Sequence, residues 1–111
     1  MKQSNIFVYT ELSKMVGALS SDGDDQYLKK TLLRQSAYFK IIEPKLFPEP
    51  LQHEWEKIIA LASHKGVKRD ADGRIICSAF NNTIYEWSAA ECKAFVALIV
   101  NLFNEIKKEF V

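Results

Sequence analysis

The chain has 111 residues, 48% hydrophobic and 26% charged, a balance that suits a single globular domain over residues 1–111 and is too apolar for a disordered tail. Its 15 basic and 14 acidic residues leave a formal net charge of +1, so nothing draws it at long range to nucleic acid or an anionic membrane, and such binding needs a local patch. There are only two cysteines, Cys77 and Cys92, with no short metal-type spacing, which suits a reducing compartment where they are small buried hydrophobes.

The first predicted helix covers residues 4–20. Val8, Leu12, Met15, Val16 and Leu19 recur at helical spacing as its inner stripe. It stops in Ser20, Ser21, Asp22, Gly23 and Asp24, a run of turn and cap formers. A second helix starts at Asp24 or Asp25 and ends by Ile42 or Glu43, because Pro44 disfavours helical geometry at the residue before it. Leu28, Leu32, Gln35 and Phe39 share one face of it, and Asp25 and Lys29 make a supportive i,i+4 pair. Residues 44–50 hold all three prolines of the chain and read as a stiff connector, or at most one helical turn, anchored by Leu46 and Phe47. A third helix takes residues 50–64, with Leu51, Trp55, Ile58, Ile59 and Ala62 inward and Gly66 as a C-terminal cap.

After the polar connector 66–74, two readings compete. One is a fourth helix from Ile75 or Ile76 to Trp87, with Ile76, Phe80, Thr83, Ile84 and Trp87 inward. The other pairs Val67, Lys68 and Arg69 with Arg74, Ile75 and Ile76 as a small hairpin across Asp72 and Gly73. The helix ranks first because its apolar spacing continues beyond any hairpin.

The strongest element is the last, residues 88–111. Ser88 and Glu91 form a capping-box pattern ahead of an apolar run. Cys92, Phe95, Val96, Ile99, Leu102, Phe103, Ile106 and Phe110 recur at helical spacing, and residues 94–100 are apolar without interruption. That predicts burial on several sides through the middle of the helix, with a partner surface beginning only in its final turns. The expected fold is all-α: a single-domain bundle of about five mostly antiparallel helices with the C-terminal helix central.

Motif tests argue against several activities. With Asp72 and Gly73 set at the fifth and sixth positions of a calcium-binding loop, Asp70 fits the third, but Lys68 and Ala79 occupy the first and twelfth, where acids are needed. His53 and Glu54 begin a zinc-protease helix, but Lys57 stands where the second histidine belongs. The four glycines are scattered, so no phosphate-binding loop is present. Cys77 and Cys92 fall beside apolar faces and read as structural thiols. The expectation is a protein without catalytic residues, metal or cofactor.

Two surfaces remain as candidates. Tyr38 and Tyr85 lie off the inner stripes, and Phe110 extends the apolar side of the last helix. Aromatic side chains of this kind anchor protein interfaces. The primary functional expectation is therefore a small non-enzymatic protein that binds another protein, as a regulator, inhibitor or immunity-type factor, or that self-associates as a homodimer. The alternative is a nucleic-acid-binding accessory protein in which Lys65, Lys68, Arg69 and Arg74 of one connector join Lys29, Lys30 and Arg34 of the second helix to hold phosphates. Ile6, Phe7, Val8 and Tyr9 are too few for a signal-peptide core, and the 94–100 run is too short to span a bilayer, so the expected location is the cytoplasm.

Overall fold

The computed structural model describes residues 3–19 and 25–108, without the side chains of residues 3, 4, 25 and 26. Three sequence expectations, the turn over residues 20–24, the Asp25–Lys29 pair and the interface role of Phe110, lie outside the described residues. The described chain is all-α apart from one two-stranded hairpin.

The last helix, α6 (Ala89–Lys107), begins as its sequence predicts. Ser88 Oγ accepts from the Glu91 backbone N–H at 3.1 Å, and the Glu91 carboxylate accepts from the Ser88 N–H at 3.0 Å. Cys92, Phe95, Ile99, Leu102 and Ile106 are buried, and the helix packs against α1 (Gln3–Leu19), α2 (Asp25–Gln35) and α4 (Glu49–Ser63). It is central, as expected. Its middle is not wrapped on every side, however. Ala94, Ala97 and Leu98 remain exposed. The run 94–100 carries more apolar surface than three neighbouring helices cover, so the exposed apolar side starts at Ala94 and not in the final turns.

The inner stripe of α1 is as read: Val8, Leu12, Met15 and Leu19 are buried and Val16 is half-buried. The second predicted helix is in fact two. α2 ends at Gln35, Ser36 and Ala37 form a turn, and α3 (Tyr38–Ile41) restarts. The Ser36 hydroxyl lies 2.9 Å from the Leu33 carbonyl and 3.3 Å from Asn81 Oδ1, so a serine side chain competes for the backbone where the helix breaks. Ile42 then turns extended ahead of Pro44. Pro44–Leu46 is a single 3₁₀ turn, and Phe47 is buried as its anchor.

α4 carries Trp55, Ile58 and Ala62 into the core. The Trp55 indole N–H donates to the Ile42 carbonyl at 2.6 Å, tying α4 to the end of α3. Phe47 stacks on Trp55 with centroids 5.3 Å apart, and Phe39 meets Trp55, Phe80 and Phe95 at 5.7, 5.0 and 5.8 Å. One buried cluster thus joins side chains from every α-helix.

The region after α4 corrects the sequence reading. β1 (Lys68–Arg69) and β2 (Ile75–Cys77) pair antiparallel, and α5 is only Ala79–Ile84. Asp70 makes the turn. Its Oδ1 accepts from the N–H groups of Asp72 at 2.9 Å and Arg74 at 3.0 Å, and Gly73 sits at φ +83°. Ser78 caps α5 by accepting from the Asn81 N–H at 3.1 Å, which fixes the helix start after the strand. Ile76, read as an inward helical residue, is 58% exposed on β2. Phe80, Thr83 and Ile84 are buried as read.

Replacing Ile99, fully buried at the centre of α6, with Asp puts an unpaired charge in the core. Ile99→Asp is expected to abolish the cooperative urea transition seen by circular dichroism. A folded Ile99→Asp chain would show that α6 is not the centre of the bundle.

Candidate functional site

α4 and α6 run antiparallel, since Leu51 and Glu54 lie near Leu102 and Glu105 while His64 lies near Glu91. Each sends one face into the core. The adjoining faces, Glu54 and Leu61 on α4 and Ala94, Leu98 and Glu105 on α6, look outward and, with half-buried Leu51, enclose a groove. One part of it has a volume of about 400 Å³, and a second of about 280 Å³ continues toward Trp87 and His64. Leu61 and Leu98 line both parts and are 48% and 43% exposed. Leu98 stands in the middle of α6 and Leu61 in the last turn of α4, both large apolar side chains where substitution by a polar residue would disturb little packing.

The spacing along each wall is helical: Leu51, Glu54, Ile58 and Leu61 on one side, Ala94, Leu98, Asn101 and Glu105 on the other. Counted from Leu51 to His64 and from Glu91 to Glu105, the walls extend for roughly 20 Å at 1.5 Å per residue. Glu54 is 3.8 Å from Lys57 and Glu105 is 3.0 Å from Lys108, both exposed i,i+3 pairs. Glu91 lies at the opposite end, with its carboxyl held below its ordinary value of 4.5, chiefly by the Ser88 backbone N–H and then by the Ser88 side chain, with smaller contributions from the positive charges of Lys29 and Lys65.

The residues singled out from sequence are placed elsewhere. Tyr38 is half-buried and packs against the core. Tyr85 is 71% exposed at the end of α5, with Lys29 Nζ 5.6 Å from its ring centroid. Tyr85 also lines a hollow of about 590 Å³ with Lys68, Ile76, Cys77 and Asn82. Lys65 Nζ pairs with Glu86. The two basic segments therefore do meet, at Tyr85, but Glu86 and Glu91 stand among them. Lys30 and Arg34 are exposed on α2, and Arg69 and Arg74 are exposed on the hairpin, where Arg69 Nη1 donates to the Gly73 carbonyl at 2.8 Å.

The C-terminal end of α4 is stitched to α5. Thr83 Oγ1 accepts from the Lys65 N–H at 3.1 Å, and Asn82 Nδ2 donates to the Gly66 carbonyl at 3.0 Å. Cys92 is fully buried, and burial pushes its thiol above the ordinary value, which disfavours a thiolate. Cys77 is half-buried and free. Among the described residues, no three His, Cys, Asp or Glu side chains are grouped to hold a metal ion, and no helix is long and apolar enough to cross a membrane.

Leu61 and Leu98 fall beside the inner stripes, so the spacing of those stripes does not point to them. A second stripe offset from the first, Ala94 to Leu98 to Asn101 to Glu105, is the signal that finds the groove. Comparison with protein-family models, curated proteins and solved structures finds no match.

The Glu91 cap makes a pH prediction. A carboxyl with a lower pKa folded than unfolded adds stability that is fully present above its ordinary pKa and is lost as pH falls through the folded value. Between about pH 5 and about pH 3, the urea midpoint of the natural chain should therefore fall further than that of Glu91→Gln. Equal losses in the two proteins would contradict the cap geometry.

Proposed function

We propose that the chain is a non-enzymatic, cytoplasmic protein-binding domain, acting as a regulator, inhibitor or immunity-type factor, and that it docks its partner along the α4–α6 groove. The observation that carries this reading is the pair Leu61 and Leu98, half-exposed at the centre of a continuous apolar channel between two long core helices. Exposed apolar patches rimmed by polar residues mark interaction surfaces. Tyr85, 71% exposed and two residues before Trp87 of the groove, offers an aromatic anchor outside it. Two free cysteines, one buried, agree with a reducing compartment.

Leu61→Glu combined with Leu98→Glu tests the reading. Both residues lie off the buried stripes, so the double variant should stay folded by circular dichroism. It should lose its protein partner in affinity capture followed by mass measurement. Undiminished capture would remove the groove from the interface, and a strict monomer without any protein partner at micromolar concentration would count against protein binding altogether.

A second reading, nucleic-acid binding, is favoured by one observation: Lys29 over Tyr85 and Lys65 beside Glu86 bring the basic connector and the α2 face together. Tyr85 supplies an exposed ring for a base to stack on, and Lys68 lies across the same hollow. On this reading, Lys68→Glu with Arg69→Glu abolishes binding to labelled single-stranded or duplex DNA, and affinity falls steeply with salt. Absence of binding at low salt ends it.

A further inference from the structure

The groove walls restrict what can lie between them. α4 and α6 use their main-chain N–H and C=O groups within their own helices, so the floor presents side chains only. An extended segment would find no main-chain partners there and would leave its own polar groups unmet. A helix arrives with those groups satisfied, and the length of about 20 Å matches about four turns. Its apolar residues would stand at i, i+3 or i+4, and i+7, the spacing of helix-in-groove recognition.

Charge then separates a foreign helix from a second copy of this chain. Glu54 and Glu105 flank one end of the groove and Glu91 the other, against the single lining lysine, Lys57, and one histidine, His64, at the Glu91 end. Lys29 and Lys65 act on Glu91 from the α2 and α5 side and line neither part of the groove. A two-fold axis through Leu61 and Leu98 would lay the Glu54–Glu105 end of one copy on the Glu91 end of the other, acid against acid. A basic helix meets the opposite sign at both ends. Lys57 and Lys108 screen Glu54 and Glu105 only through exposed pairs of little strength, so a partner's cations can replace them.

We propose that the α4–α6 groove receives a basic amphipathic helix of a partner protein, its apolar residues seated on Leu61 and Leu98 and its lysines or arginines meeting Glu54 and Glu105 at one end and Glu91 at the other. The proposal rests on the protein-binding reading above and adds the class of partner.

Three synthetic peptides of about 18 residues test it. One is a helix with leucines at groove spacing and lysine flanks. The second carries glutamate flanks. The third has the composition of the first in an order with no apolar face. The full chain is titrated against each by fluorescence anisotropy. The lysine-flanked helix should bind at least about tenfold tighter than either of the others. Glu54→Lys with Glu105→Lys, both exposed, should reverse the preference toward the glutamate peptide. Leu61→Glu with Leu98→Glu should bind none, while circular dichroism shows each variant folded.

Equal affinity for the first two peptides, tight binding of the third, or an unchanged preference in the charge-reversed variant overturns the proposal. So does failure of all three to bind at about 100 µM. A dimer in sedimentation that Leu61→Glu with Leu98→Glu dissolves assigns the groove to a second copy and overturns it as well. A partner captured by the natural chain and lost on Tyr85→Ala, with no peptide bound in the groove, would sink this inference while protein binding stands.

Discussion

The joint between Trp55 and Ile42 governs how the rest of the molecule meets. The indole N–H and the Ile42 carbonyl close across the proline-rich connector, so the chain leaves α3 and enters α4 at a set angle. Around that bond, Phe39 touches the rings of Trp55, Phe80 and Phe95, which stand on three different helices. Each such ring pair contributes roughly 0.5–1.5 kcal/mol beyond the area it buries. Phe39 reaches them from a helix that restarts after Ser36 and Ala37. The break, the prolines and the aromatic cluster are one arrangement, and α4 is held beside α6 because of it.

The groove is a by-product of that placement. α4 commits Trp55, Ile58 and Ala62 to the core, and α6 commits Phe95, Ile99 and Leu102. Among the described residues, the next face around each cylinder has no helix opposite it. On most surface helices that face would be polar. Here it carries Leu61 and Leu98, with acids at both ends of the channel.

What the sequence revealed depended on how local the deciding interaction was. The capping box at Ser88, the inner stripe of α1, the Trp55, Ile58 and Ala62 part of the α4 stripe and the anchor Phe47 all follow from neighbours within a turn or two, and all are legible. Leu51 and Ile59 of that stripe are only half-buried, and the 3₁₀ turn at Pro44 is the shorter-range alternative to an extended connector. The break at Ser36 is not legible, because neither Gly nor Pro marks it and one of its contacts, Asn81, is far along the chain. The hairpin is legible in Asp72 and Gly73, but the apolar spacing of a longer helix competes with it. Ile76 matched the spacing of Phe80 and Ile84 by coincidence, while Asp70 and Ser78, the residues that fix the turn and the helix start, do so through hydrogen bonds that a count of apolar positions does not see. The basic segments were named in full, but their meeting at Tyr85 depends on tertiary packing. The groove is hidden for a different reason: a continuous apolar run predicts burial on several sides, and the described helices are too few to cover it.

The offset between the buried stripes and the groove stripes bears on how such a chain can change over time. Ile99 and Leu98 are adjacent in sequence, yet one is sealed in the core and the other half-open to water. Substitutions at the first are judged by folding, and those at the second mainly by whatever meets the surface. Stability and recognition therefore occupy interleaved but separate sets of positions on the same two helices. A lineage built on this scaffold can alter Leu61, Leu98, Glu54 or Glu105 in single steps and acquire a new surface without first having to find a new fold.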